Sequence, residues 1–206
     1  MGETIERFPL FPLGLVLLPR EVVPLHIFED RYKQMVDECL GEDSDFGMLW
    51  MDERGLREVG CTAEITQLLA RTEDGRMDIL VQGVSPFQLV RRVGEMAYPA
   101  GDIQLLDEEH EEHGEQPRVN ARQGYADLVE HVTGARPSET DLEQLDSYGM
   151  AATVALELDA KQELLELRSE HARLDRLCSL FAEAQKRYAY IQKAAERAKS
   201  NGKLRS

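Results

Sequence analysis

Cysteine is scarce in this sequence: Cys39, Cys61 and Cys178 are the only three in 206 residues, widely separated and without a C-x-x-C pair. Such spacing offers neither a disulfide framework nor a thiolate zinc module, and reads as buried or incidental thiols in a reducing, cytoplasmic compartment. Positive charge is scarce too. With 24 Lys and Arg against 39 Asp and Glu, the formal net charge is −15, which argues against nucleic acid as a partner, because affinity for phosphate backbones rests on Lys and Arg. A phosphate-binding loop is missing. The only Gly-Lys pair, Gly202-Lys203, has Arg197 where G-x-x-x-x-G-K-[ST] requires Gly and Leu204 where it requires Ser or Thr, so no ATP is expected. No Ser or Cys stands in a G-x-S-x-G setting near His26, His131 or His171. His110 and His113 form H-E-E-H, but their spacing is one short of H-E-x-x-H and their acidic surroundings lack the apolar residues that fix ligand geometry. We read them as part of a solvated loop. Catalytic, cofactor-binding and metal-ligating residues are all expected to be absent, and the chain is read as a non-enzyme.

Long uninterrupted hydrophobic runs are also missing. The most apolar stretch, FPLFPLGLVLLPREVVPLHI from Phe8 to Ile27, carries Pro9, Pro12, Pro19 and Pro24 and is cut by Arg20 and Glu21. A membrane helix needs about 20 apolar residues in a row, and each proline would delete a helical hydrogen bond. A secretory signal would need a basic start and a small-residue cleavage site, whereas Glu3 and Glu6 outnumber Arg7 here. The prolines instead favour extended backbone, so Phe8 to Leu13 is predicted as a strand with edge character and Val22 to Phe28 as a second. Leu15, Val16 and Leu17, between them, belong either to packing or to an exposed sticky surface, and packing is favoured for most.

Beyond Ile27 the pattern is mixed. Phe28, Tyr32, Met35, Val36, Cys39 and Leu40 fall on one helical face, with Gly41 expected to close the helix. FGMLWM, Phe46 to Met51, reads as a buried strand. Glu58 to Ala70 and Met77 to Val84 flank RTEDGR, whose Asp74-Gly75 supplies the positive φ of a hairpin turn. Beyond Ser85-Pro86, Phe87 to Val93 and Asp102 to Leu106 continue as strands. The acidic stretch DEEHEEHGEQP, 107–117, is expected to be a linker. Helical spacing then takes over, through Tyr125, Leu128, Val129 and Val132 to a stop at Gly134 to Pro137. Ser138 with Asp141 resembles a capping box, Asp159 is expected to cap AKQELLEL, and Ser169 a long final helix. In that helix Leu174, Leu177, Phe181, Ala184, Tyr188, Ile191 and Ala195 form a heptad-like seam. Its end is basic, with seven Lys or Arg against one Glu from Lys186 onward. These patterns give an α+β chain: a β-rich subdomain over 1–106 with one early helix, the linker 107–117, and a helical subdomain over 118–206.

Trp50, the only tryptophan, and Phe87 are the candidate protein-binding residues, because aromatic side chains dominate interface energetics. Core packing is the alternative for both.

Several motifs, taken in order, resemble the N-terminal, substrate-recruiting domain of the Lon family of ATP-dependent proteases. FPLFPLGLVLLPREVVPLHIFEDRY is similar to that domain's opening strands and first helix. EVGCTAEITQLLARTEDGRMDILVQGVSPFQL resembles its V-G-T-x-A-x-I segment, D-G-R hairpin and V-x-G strand, and YPAGDIQLLDEE its next strand. SYGMAATVALELDAKQELLELRSEHARLDRL resembles the segment ending in K-Q-x-L-L-E and R-L-x-x-L. The likeness spans roughly residues 8 to 180. Ser85-Pro86-Phe87 departs from the family's Arg-rich stretch after V-x-G. The resemblance implies an N-terminal PUA-like pseudo-barrel with one early helix, followed by a C-terminal helical bundle ending in a long helix.

It also implies a function. The expectation is a bacterial protein-recognition module, standing without ATPase and protease domains, that binds protein clients or partners through their exposed apolar segments, as an adaptor or regulator of proteolysis. It would form a homodimer through the C-terminal helix and would use neither ATP nor a membrane. Two other readings are kept: a PUA-like RNA binder using the basic terminal helix, and a small-molecule sensor with a pocket between the subdomains.

Overall fold

The computed structural model describes residues 4–94, 96–109 and 115–202, with side chains as far as 191 and at 193. His110 and His113 of the H-E-E-H pair lie outside the described residues. The elements in chain order are β1 (Thr4–Leu13), β2 (Val22–Ile27), α1 (Asp30–Glu42), β3 (Phe46–Asp52), β4 (Gly55–Leu56), β5 (Val59–Arg71), β6 (Met77–Val93), β7 (Ala100–Leu105), α2 (Gln116–Thr133), α3 (Glu139–Glu143), α4 (Ser147–Ala151), α5 (Leu158–Glu166) and α6 (Glu170–Gly202). Strands thus come first and helices after, ending in a long helix, as expected of the α+β class.

The chain forms two compact units, each drawn from two segments: Met1–His110 with Tyr148–Ser169, and Glu111–Ser147 with Glu170–Ser206. Residues 148–169, grouped by sequence with the other helices, therefore pack with the strands. Two side chains on α5 show why. Lys161 pairs with Glu21 ahead of β2, both side chains largely buried, and Gln162 Nε2 donates to the Val59 carbonyl at 3.1 Å. The K-Q pair is thereby the attachment of α5 to the strand unit. Asp159 does not cap this helix: Glu157 holds the N-cap position without a side-chain bond, and Asp159 lies in the first turn, where a carboxylate favours the positive end of the helix dipole.

The sheet closes on itself. Its order is β1-β7-β6-β5-β3-β4 with an additional β1–β3 pairing, in which Leu10 to Leu13 run parallel to Gly47 to Trp50. One buried cluster of its core is Leu10, Leu49, Phe87, Leu89 and Ile103. β6 differs from expectation, running unbroken through Ser85-Pro86 for 17 residues. Pro86 lies opposite Cys61, where the β5 register shifts, so its missing N–H falls at an irregularity rather than in a regular ladder. The same point marks a change of neighbour, from β2 along 77–82 to β7 along 87–93.

Two other local features hold the barrel. The segment between β1 and β2 buries Val16, Leu17 and Leu18, which settles the choice in favour of packing for Val16 and Leu17, with Leu15 half-buried. Its backbone crosses β6 at Gly83: Arg20 N–H donates to the Gly83 carbonyl at 2.7 Å and Gly83 N–H to the Glu21 carbonyl at 2.9 Å. A Cβ at Gly83 would lie 2.1 Å from the Leu18 carbonyl oxygen, so the V-x-G glycine is dictated by backbone approach. On β7, between β1 and β6, Asp102 accepts from Arg7 N–H at 3.1 Å and twice from Arg91, at 3.0 and 2.6 Å. α1 continues through Gly41 to Glu42 and is closed by Asp43 at φ 52°, a left-handed conformation that Asp tolerates.

In the second unit α2 and α6 pack together, with Tyr125 against Phe181 and His131 edge-on to Tyr188 at 4.9 Å. Gly134 closes α2 at φ 78°, and Ser138 Oγ accepts from Asp141 N–H at 3.2 Å, as the capping box requires. The α6 seam is buried through Leu174, Leu177 and Phe181. It then emerges: Ile191 is 56% exposed and the neighbouring Tyr190 75%.

Candidate functional site

β2, β5 and β6 form a three-stranded region of the strand unit, and alternation decides what its outer surface carries. Along β2, Leu25 and Ile27 are buried while Val22, Pro24 and His26 are exposed. Along β6, Met77, Ile79 and Val81 are buried while Asp78, Leu80 and Gln82 are half-exposed. Register aligns the outward residues in rows: Val22, Gln82 and Glu64; Pro24, Leu80 and Gln67; His26, Asp78 and Ala70. A period-two strand sends its inward set to the core and leaves the outward set for solvent. Here four of the outward residues are apolar, Val22, Pro24, Leu80 and the small Ala70.

Phe28 extends this surface just beyond β2. It is 59% exposed and its ring stacks on His26 at 6.0 Å between centroids. His26 Nδ1 pairs with Asp78 Oδ1 at 2.6 Å, fixing the imidazole that supports Phe28. Val22, at 52% exposed, lies at the other end of the strand. Beyond Glu64 the face reaches a cavity of about 150 Å³, lined by Cys39, Leu40, Asp43, Ser44, Asp45, Glu64 and Ile65. Burial, with Glu64 and Asp43 nearby, pushes the Asp45 carboxyl above its ordinary range.

β2 pairs with β6 only, off the main strand path. Pro24 has no N–H to offer, and proline in an edge strand blunts addition of a further strand. The chemistry available is therefore apolar contact with the side-chain face, more than backbone pairing along the edge. Among the described residues no group of three or more His, Cys, Asp or Glu could hold a metal ion. No helix of the described residues is long and apolar enough to cross a membrane.

The two candidates read from the sequence lie in the core instead. Phe87 is fully buried, packs edge-on to Phe8 at 6.3 Å and belongs to the barrel core. Trp50 is 7% exposed, with the Arg57 guanidinium 4.9 Å above its ring. Their burial supports the packing alternative, and neither presents an anchor to a partner. Val22, Pro24 and Phe28 had a signal of their own, since VVPLHIF is apolar at both phases of a period-two strand except at His26. Which phase of β2 faces outward is revealed only by its pairing with β6.

A family model described as the ATP-dependent protease La (LON) substrate-binding domain matches residues 7–183. The Lon protease of Desulforamulus reducens is 25% identical over 203 residues, covering 88% of this chain and 24% of that protein. Lon protease 1 of Bacillus subtilis is 25% identical over 195 residues, covering 86% and 25%. The chain thus spans about a quarter of the length of these relatives. Two solved structures share the fold: a Lon N-terminal domain protein from Xanthomonas campestris, with TM-score 0.62 and 24% identity over 85% of this chain and 98% of that one, and the N-terminal domain of a Mycobacterium avium complex Lon protease, with TM-score 0.63 and 18% identity over 87% and 98%.

Proposed function

Since this chain belongs to the Lon substrate-binding domain family, we propose that it is a protein-recognition module that holds exposed apolar segments of client proteins on the outer face of β2 and β6. The observation that carries this reading is the set of outward apolar residues on neighbouring rows, Val22 and then Pro24 with Leu80, continued by the exposed Phe28. Burying one such side chain contributes roughly 1.5–3 kcal/mol. Two or three together suffice for a transient contact with an unfolded segment. The domain's place in proteins described as proteases supports a role as adaptor or regulator of proteolysis.

The test is binding of a permanently unfolded polypeptide, followed by fluorescence anisotropy. Val22→Ser with Phe28→Ser is expected to weaken binding by at least about tenfold while leaving the melting temperature near that of the parent, because both side chains already face solvent. Unchanged affinity in that variant would contradict the assignment of the face.

A second contact is suggested by the exposed end of α6, where Tyr190 and Ile191 lie in the open. It supports pairing of two copies through this helix. Sedimentation equilibrium is expected to show a dimer that Tyr190→Glu with Ile191→Glu dissociates; a monomer at all concentrations would contradict it.

A further inference from the structure

The apolar face ends in carboxylates. Glu64 closes the row begun by Val22 and Gln82, and with Asp43 and Asp45 it lines the cavity beside the end of α1. Several acids elsewhere around the strand unit are matched by cations, Asp78 by His26, Asp74 by Arg76 and Asp37 by Arg71, while Glu38 and Glu58 bond the neutral Tyr98 and Gln88. Among the described residues no Lys, Arg or His forms an ion pair with Asp43, Asp45 or Glu64. The chain as a whole is at −15. An apolar surface bordered by unmatched negative charge attracts cationic flanks and repels anionic ones, independently of what the apolar part contacts.

Resting on the reading that this face holds an apolar segment, we propose that it selects segments in which the apolar residues are accompanied by Lys or Arg, the cation lying against Glu64, Asp43 and Asp45. Geometry sets the spacing. β2 and β5 are two strand separations apart, about 10 Å, which an extended peptide covers in about three residues. The partner is thus an apolar segment with a basic residue about three positions beyond its anchor. Segments flanked by Asp or Glu are disfavoured.

The experiment uses the full chain and three labelled peptides that share one apolar core and differ only three positions beyond it, carrying Lys, Ser or Glu. Dissociation constants are measured by anisotropy at low and high salt. The Lys peptide is expected to bind about threefold tighter than the Ser peptide, as one exposed charge contact allows, and the Glu peptide more weakly than either. This ratio is expected to fall toward one at high salt, and likewise in Asp45→Asn with Glu64→Gln, with the Ser peptide's affinity unchanged in that variant. Equal binding of Lys and Ser peptides by the parent protein would overturn the inference while leaving the apolar face standing. So would a Lys preference that survives in the variant. Failure of all three peptides to bind would overturn the face itself.

Discussion

Asp102 shows how single positions shape this barrel. Its carboxylate is largely buried, and the Arg91 side chain, then the Arg7 backbone N–H, hold its pKa below the ordinary 3.8. Because the folded value is depressed, the stabilisation is fully present above 3.8 and is lost as pH falls through the lower folded value. Thermal melts from pH 6 downward are therefore expected to show parent and Asp102→Asn apart at about pH 6 and converging as pH falls below about 4; a constant gap would contradict the linkage. Arg7 reaches Asp102 from a left-handed conformation, φ 56°, at a β1 bulge, and nothing in RFPLF announces that bulge. Gly83 lies between these extremes of legibility. V-x-G marks it as special in sequence, but the cause, a crossing backbone at Leu18, exists only once residues 14–21 have folded over β6.

At the level of elements, patterns within one segment were the legible ones. The Asp74-Gly75 turn joins β5 to β6 with Gly75 at φ 81°, the α1 face buries Tyr32, Met35, Val36 and Cys39, and Ser138 caps its helix. Features that depend on a distant partner were not. The proline after Ser85 reads as a break, yet β6 passes through it because β5 shifts register there. α5 reads as one more member of the helical half, yet Lys161 and Gln162 tie it to Glu21 and Val59. Removing one partner of a buried ion pair costs about 3 kcal/mol, because the other charge is left uncompensated. Lys161→Met is thus expected to lower stability by about 3 kcal/mol in urea titrations, and Lys161→Met with Glu21→Leu by distinctly less. Equal losses in the single and double variants would contradict the pairing. The same logic explains why Trp50 and Phe87 were plausible anchors in sequence. An aromatic residue on a strand apolar at every position gives no sign of which neighbours cover it.

For the molecule taken together, family membership and fold class were written in the order of motifs along the chain, and the closed sheet accorded with them. The surface proposed to bind clients was not, since exposure depends on the β2–β6 pairing. We place client segments on the outer face carrying Val22, Pro24, Phe28 and Leu80, and not on the helical unit. Methyl-resolved NMR of the full chain, titrated with an unfolded polypeptide, separates the two. The methyl signals of Val22 and Leu80 are expected to shift in a saturable manner while those of Val119 and Val132, exposed on α2, stay in place. Saturable shifts at Val119 and Val132 with Val22 and Leu80 unmoved would contradict this placement.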